Sequence, residues 1–300
     1  MDKAVGSLVG LAVGDAIGTT VEFASRDSYK PLTDIVGGGP FELEPGQWTD
    51  DTSMALCLAD SLINKPDFDP VDLMNRFCNW YQYGYNSMNG RCFDIGMTTR
   101  KALTDYLACG KPYMGDPELD ASGNGSLMRL APVAIRFHNA PDQAAYIAQL
   151  QSKTTHASPL CLEACDVFSR MLCAAFDGAA KPDILAMVEG LKHNDFARFR
   201  APDWLEKERR KISSSGYVVA TLEAALWCFA RSETFEEAVL MAANLGDDAD
   251  TVAAVTGQIA GAYWGYQAIP APWLTMLAWE SDIRARAETL FALARLDWVG

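Results

Sequence analysis

The sequence predicts an all-α fold, a single compact multi-helix domain over residues 1–300. Three observations predict it. Apolar residues recur at three- and four-residue spacing along most of the chain, the period of a helix with one buried face. The strict alternation of a half-buried strand is scarce. Glycines repeat every fourth residue in two stretches, Gly6, Gly10, Gly14 and Gly18 near the start and Gly257, Gly261 and Gly265 near the end. A glycine inside a helix costs about 0.5–1 kcal/mol relative to alanine, so a stripe of them is expected where another backbone passes very close. The two stripes are expected to pack on each other and to join the first and last thirds of the chain.

The first stripe lies in "MDKAVGSLVGLAVGDAIG" (1–18). One lysine, an early Asp2 and an apolar run ended by Asp15 do not make a signal peptide, and the run reads as too short to span a bilayer. No other segment has about 18 uninterrupted apolar residues, so a soluble chain without membrane insertion is expected. The glycines and prolines of "VGGGP" and "EPGQ" mark loops ahead of a helix over 52–64, and "NKPDFDP" separates that helix from one over 71–83. A helix over 95–109 ends at the long loop "CGKPYMGDPELDASGNG". Helical spacing returns over 142–152, 158–177 and 183–192, then over 217–231, 235–244 and 250–266. The loop "IPAPW" precedes a last helix over 282–296. No repeat, low-complexity tract or domain linker interrupts the series.

Composition narrows the function classes. Of 300 residues, 49% are hydrophobic, enough for one large core. A net charge of -14 argues against a nucleic-acid backbone or an anionic membrane face as partner. None of the eight cysteines forms a C-x-x-C pair, and several sit in apolar helical contexts. Free thiols in a reducing cytosol, and hence a cytoplasmic protein, are the expectation. Cys161 and Cys165, one helical turn apart, read as core packing.

Chemistry is concentrated in "GQWTDDTSMAL" (46–56) and "NLGDDADTVAAV" (244–255). A threonine or aspartate before an apolar helix is ordinarily a cap, and acids in a first turn suit the helix dipole. One cap needs one oxygen, however, and here Asp50 and Asp51 are adjacent while Asp247, Asp248 and Asp250 crowd one turn. Clustered carboxylates repel one another unless a cation sits between them. Carboxylates and threonine hydroxyls without a nearby histidine or cysteine suit a hard ion, Mg²⁺ or Mn²⁺; Ca²⁺ stays open, though no EF-hand spacing is present. Two such groups could hold two ions side by side.

These segments, with "GLAVGDAIGTTVEF" (10–23), "GRCFDIGMTTRKAL" (90–103), "GNGSLMRLAP" (123–132), "THASP" (155–159) and "SSGYVVATLEAALW" (214–227), resemble the ADP-ribosylglycohydrolase family, most closely its bacterial dinitrogenase reductase-activating branch. The matches keep their order and span nearly the whole chain. The resemblance implies a single helical domain with a binuclear Mg²⁺ or Mn²⁺ centre, Thr49, Asp50 and Asp51 supplying one arm and Asp248, Asp250 and Thr251 the other. Asp247 is a second-rank candidate or a cap. The implied activity is hydrolysis of the glycosidic bond between ADP-ribose and a modified protein side chain, most closely arginine. The implied partners are an ADP-ribosylated protein as substrate and ADP-ribose as product, and the implied state is a monomer.

Glu22 and Asp94 are local candidates for an exposed acid and a helix cap. The resemblance places Glu22 at the acid that gates or assists catalysis and Asp94 at the acid that approaches the distal ribose and leaving group; Asp51 is a further candidate to orient water. An acidic protein that binds phosphates needs uncharged donors, and the glycine-rich approach Gly123, Asn124, Gly125 and Ser126 offers backbone N–H groups. "IVGGGPF" (35–41) lacks the Lys-Ser/Thr ending of a P-loop and reads instead as a segment lining or covering the cleft. His156 matches a position near the ADP-ribose, and Tyr217, after Gly216, is either a core aromatic or a stacking surface for adenine. An ADP-ribosylserine hydrolase, a non-catalytic ADP-ribose reader, a structural derivative of the fold and a metal-dependent phosphohydrolase are the alternatives.

Overall fold

The computed structural model describes residues 1–296. Helix α1 (Asp2–Gly18) opens the chain and is buried from Ala4 onward. A single turn and a long loop lead to α2 (Asp50–Asn64), α3 (Pro70–Tyr83) and α4 (Met97–Cys109). Two short helices, α5 (Gly125–Met128) and α6 (Ala131–Arg136), precede α7 (Pro141–Lys153), α8 (Pro159–Phe176) and α9 (Lys181–Ala186). A run of short 3₁₀ turns then leads to α10 (Val218–Arg231), α11 (Phe235–Ala243), α12 (Ala249–Trp264), α13 (Ala271–Met276) and α14 (Glu280–Leu296). Among the described residues there is no strand, only isolated bridges such as that between Gly123 and Tyr217. The fold is all-α and forms one compact body around a continuous apolar core.

The glycine stripes do meet. A Cβ on Gly6, Gly10, Gly14 or Gly18 would strike the carbonyl oxygen of Gly261, Gly257, Ala253 or Ala249 respectively. Each step of four along α1 is matched by a step of four backwards along α12, so the helices run antiparallel in one register with their backbones in contact. The second stripe is therefore Ala249, Ala253, Gly257 and Gly261. Gly265 closes the contact beyond the helix: it ends α12 at φ 90°, its carbonyl carbon would lie 2.7 Å from a Cβ on Gly6, and a Cβ of its own would strike the Asp2 carboxylate. This pairing brings the end of α1, carrying Asp15, against the start of α12, carrying Asp248, Asp250 and Thr251.

Three sequence expectations change. Residues 183–192 are a short α9 that tightens into a 3₁₀ turn, Met187–Gly190. Part of "IPAPW" is helical, because a proline without an N–H is tolerated at the first turn of α13. The segment Asp2–Val21 is, by length and composition, apolar enough to cross a membrane, contrary to the expectation that it is too short. Its apolarity belongs to a central helix: 94% of that window is buried among the other helices.

The antiparallel contact makes a stability prediction. Gly10→Ala forces a methyl group into the Gly257 backbone and within 3.0 Å of the Phe235 ring, so a loss of about 1–3 kcal/mol is expected in urea unfolding. Gly190→Ala, with nothing within 4 Å of its added methyl, is expected to stay within about 0.5 kcal/mol of the parent.

Candidate functional site

Two helix starts form the floor of a cavity of about 430 Å³. Thr49 precedes α2 and Asp248 precedes α12, and neither side chain makes a capping bond. At α3 and α8 a side chain does cap: Asp69 accepts from the Val71 and Asp72 amides, and Ser158 from the Cys161 amide. The Thr49 hydroxyl is turned to Asp15 and across to α12 instead, and Asp248 accepts from Asn124. Thr49 Oγ1 lies 2.9 Å from Asp15 Oδ1, 3.4 Å from Asp51 Oδ2 and 3.3 Å from Asp250 Oδ2. Thr251 Oγ1 lies 3.3 Å from Asp51 Oδ2. The two arms anticipated from the sequence thus interlock across a long stretch of intervening chain.

Asp15, which the sequence marks only as the end of an apolar run, anchors the α2 arm. It accepts from the amide and hydroxyl of Thr49, at 2.9 Å each, and from the amide and hydroxyl of Thr52, at 3.0 and 2.6 Å. Carboxylate oxygens of Asp15, Asp51 and Asp250 come within 4.8 Å of one another, as do those of Glu22, Asp94 and Asp250. Asp250 is common to both groups. Glu22 and Asp94 therefore belong to the same acidic cluster as the expected metal arms. One signal could have found Asp15. It follows Gly14 directly, inside the glycine stripe, and a carboxylate in so closely packed a helix needs several donors to be tolerated.

Burial dominates the electrostatics. It pushes Asp50, Asp51 and Asp250 well above the usual carboxylate range, and their acidic neighbours push further. Burial raises Glu22 to about 10, with Asp94 adding to the effect. Asp94 rises to about 7 for the same first reason. Asp15 and Asp248 reach about 6, their hydrogen bonds offsetting part of the desolvation. Glu22 Oε2 and Asp51 Oδ1 are buried with no hydrogen-bond partner. Hard oxygen donors, mutual repulsion and two orphaned carboxylate oxygens together fit a bound divalent cation.

Backbone strain surrounds the cluster. Phe23, Asp94 and Asp247 adopt φ values of 61°, 59° and 55°, in the left-handed region that non-glycine residues rarely occupy. Phe23 N donates to Asp247 O at 2.7 Å and Asp247 N to Ala24 O at 2.9 Å, tying the Glu22 turn to the start of α12. Asp247 otherwise faces Ser214 and lines no part of the cavity.

The other wall carries the expected substrate residues. Gly123, Asn124, Gly125, His156 and Gly216 line the cavity; Ser126 and Tyr217 do not. Ser126 is buried behind the wall, where Ser152 donates to its hydroxyl at 2.7 Å. Tyr217 donates its hydroxyl to Asp195 at 2.9 Å. The anticipated amide donors are also partly committed: Gly123 N donates to Ala121 O and Asn124 N to Gly216 O. Asn124 works through its side chain, donating to Asp248 Oδ2 at 2.5 Å and to Thr221 Oγ1 at 2.9 Å. The "VGGGP" loop lines no part of the cavity; Thr20 Oγ1 donates to Gly37 O at 3.0 Å, and Gly39 rests on the Thr19 carbonyl.

Behind His156 stands Arg129, fully buried and missed from the sequence. It donates to Gln151 Oε1 at 2.9 Å, Gln151 O at 3.1 Å, Gly125 O at 3.2 Å and Thr155 Oγ1 at 2.8 Å, and its guanidinium lies over the Phe77 ring. Arginine only donates, so Thr155 accepts there, and the same hydroxyl lies 2.8 Å from His156 Nδ1, holding the ring in place. Burial first, and Arg129 second, hold His156 neutral, its pKa lowered to about 3. A Cβ on Gly125 would sit 2.8 Å from His156 Cε1, so only glycine lets the ring reach the cavity.

A carboxyl whose folded pKa is raised binds more protons folded than unfolded, so stability falls as pH rises through the interval. For Asp15, Asp248 and Asp94 the interval runs from 3.8 to about 6 or 7. In EDTA, the melting temperature is therefore expected to fall as pH is raised across that interval. Excess Mn²⁺ at about pH 7, which displaces the protons held by the raised carboxyls, is expected to restore it; scanning calorimetry with and without chelator reads both.

A sequence model of the ADP-ribosylglycohydrolase family matches residues 1–299. The chain is 46% identical over 300 residues to the ADP-ribosylarginine hydrolase Tri1 of Serratia proteamaculans (strain 568), covering 98% of this chain and 80% of that one. It is 35% identical over 306 residues to the ADP-ribosyl-(dinitrogen reductase) glycohydrolase of Rhodospirillum rubrum, covering 99% and 98%. A solved structure described as an ADP-ribosylglycohydrolase-related protein complex superposes with a TM-score of 0.87 at 41% identity, over 98% of each chain. This chain, with its two interlocked acidic helix starts, belongs to the ADP-ribosylglycohydrolase family.

Proposed function

We propose that this protein hydrolyses the bond between the distal ribose of ADP-ribose and an arginine side chain of a modified protein, reversing mono-ADP-ribosylation. The observation that carries the reading is the convergence of Glu22, Asp94 and Asp250 on one cavity, with Asp51 gathered to Asp250 behind it and with Glu22 Oε2 and Asp51 Oδ1 buried and unpartnered. The name ADP-ribosylarginine hydrolase, carried by the Tri1 relatives, favours arginine over serine as the linkage.

Two divalent ions, Mg²⁺ or Mn²⁺, would be held by Thr49, Asp50 and Asp51 with Asp248, Asp250 and Thr251, and would polarise the oxygens of a bound sugar. The chain's own groups do the rest. Glu22 and Asp94 face the cavity, where carboxylates stabilise the positive charge of an oxocarbenium-like transition state. With its carboxyl raised to about 7, Asp94 gives a proton to the departing guanidine nitrogen and takes one from the water that adds to the sugar carbon. Asp51 lies deeper and orients that water. His156 turns its Nε2 edge toward the glycine-rich wall to meet a phosphate or ribose hydroxyl, and Asn124 holds Asp248 in place. A cytoplasmic location is part of the same reading, supported by eight cysteines that are all free, and so is a monomeric state.

Incubation with arginine-, serine- and cysteine-linked ADP-ribosyl peptides, with and without Mn²⁺, tests it by mass spectrometry. Release of ADP-ribose and unmodified arginine, only with metal and not by Asp248→Ala, is expected. AMP as product would instead indicate a phosphohydrolase, and no release would end the proposal. Glu22→Gln is expected to lower kcat by about 10²-fold or more while leaving KM within about threefold.

A further inference from the structure

At the lip of the cavity the chain exposes a bulky aromatic ring where water would ordinarily disfavour it. Phe23 follows Glu22 directly, lines the cavity and is 67% exposed. It holds φ 61°, a conformation that strains a residue with a Cβ, and the 2.7 Å bond from its amide to Asp247 O fixes it there. Two further rings from separate segments continue the surface. Phe41 meets Phe23 edge-on at 6.5 Å between centroids, and Phe93 packs against Phe41 at 5.2 Å. Phe93 in turn precedes Asp94, which is itself left-handed. The glycine loop that lines no part of the cavity has its use here: resting on Thr19 and Thr20, it carries Phe41 into line with Phe23.

Both ends of this aromatic row are thus joined, through one peptide bond each, to carboxylates of the site. Aromatic faces attract a planar cation and repel an anion such as a diphosphate. Exposure of a ring at the cost of backbone strain is the pattern of a ligand contact. Resting on the hydrolase reading above, we infer that Phe23, backed by Phe41 and Phe93, receives the guanidinium of the modified arginine and so selects the arginine linkage. The ring row is a specificity element for the protein side of the scissile bond. The opposite wall of Gly123, Gly125 and His156 is left to the nucleotide.

The test uses a peptide bearing a carbocyclic, uncleavable analogue of ADP-ribosylarginine, with free ADP-ribose as the reference ligand. Calorimetry in Mn²⁺ reads both affinities for the wild type, Phe23→Leu and Phe23→Trp. Leucine keeps the apolar area and removes the ring, so Phe23→Leu is expected to weaken the peptide about fivefold and leave ADP-ribose unchanged. Phe23→Trp, which restores a ring face, is expected to bind the peptide at least as tightly as the wild type. Equal weakening of both ligands would assign the ring to the nucleotide and overturn the inference. Unchanged binding of the peptide by Phe23→Leu would overturn it as well. Cleavage of natural arginine-linked peptide by the wild type is read separately, so a failure of the hydrolase reading is distinguished from a failure of the ring's role.

Discussion

Everything in the site depends on two helix backbones touching. Glycines on α1 and small residues on α12 remove the side chains that would normally separate two helices, and the carbonyls of one sit where the Cβ atoms of the other would be. The register of that contact puts Asp15 and Gly18 beside Ala249 and Asp250. A wider spacing would leave Thr49 and Asp250 unable to share one volume of oxygen atoms. The conformational cost of glycine within a helix is accepted for the sake of this approach.

The second constraint is charge. The cavity gathers carboxylates that burial and mutual repulsion both disfavour, and the chain manages them unequally. Asp15 is saturated with donors and acts as a structural member; Asp248 is held by Asn124. Glu22 and Asp51 keep buried oxygens with no partner. Buried polar atoms are ordinarily satisfied by the protein itself, and oxygens left over in a cluster of hard donors suit a divalent cation.

Much of this was legible beforehand. Periodicity located the long helices to within a few residues, because one buried face is a property of local spacing. The paired acids and the glycine stripes announced a close junction of chain ends, because each violates a local preference at several positions at once. Asp15 and Arg129 were far less legible. A single acid in an apolar run and a single arginine after "GNGSLM" make no local pattern, and their partners are brought by tertiary packing. Tyr217 stood as either a core aromatic or a stacking face, and the bond of its hydroxyl to Asp195, in a segment of 3₁₀ turns, is one that local spacing does not encode. Cleft walls built from irregular segments are set by such distant bonds, and periodicity is silent there.

The order of α1 and α12 along the chain has a consequence for synthesis. The earlier helix is apolar enough along its length to cross a bilayer, and the helix that shields its backbone is made much later. Until α12 is complete, this long apolar segment lacks its principal cover. Such long-range closure slows folding and lengthens the exposure of sticky surface. Nascent chains of this protein are therefore natural clients for holding factors, and products that stop short of α12 would be lost to aggregation or proteolysis.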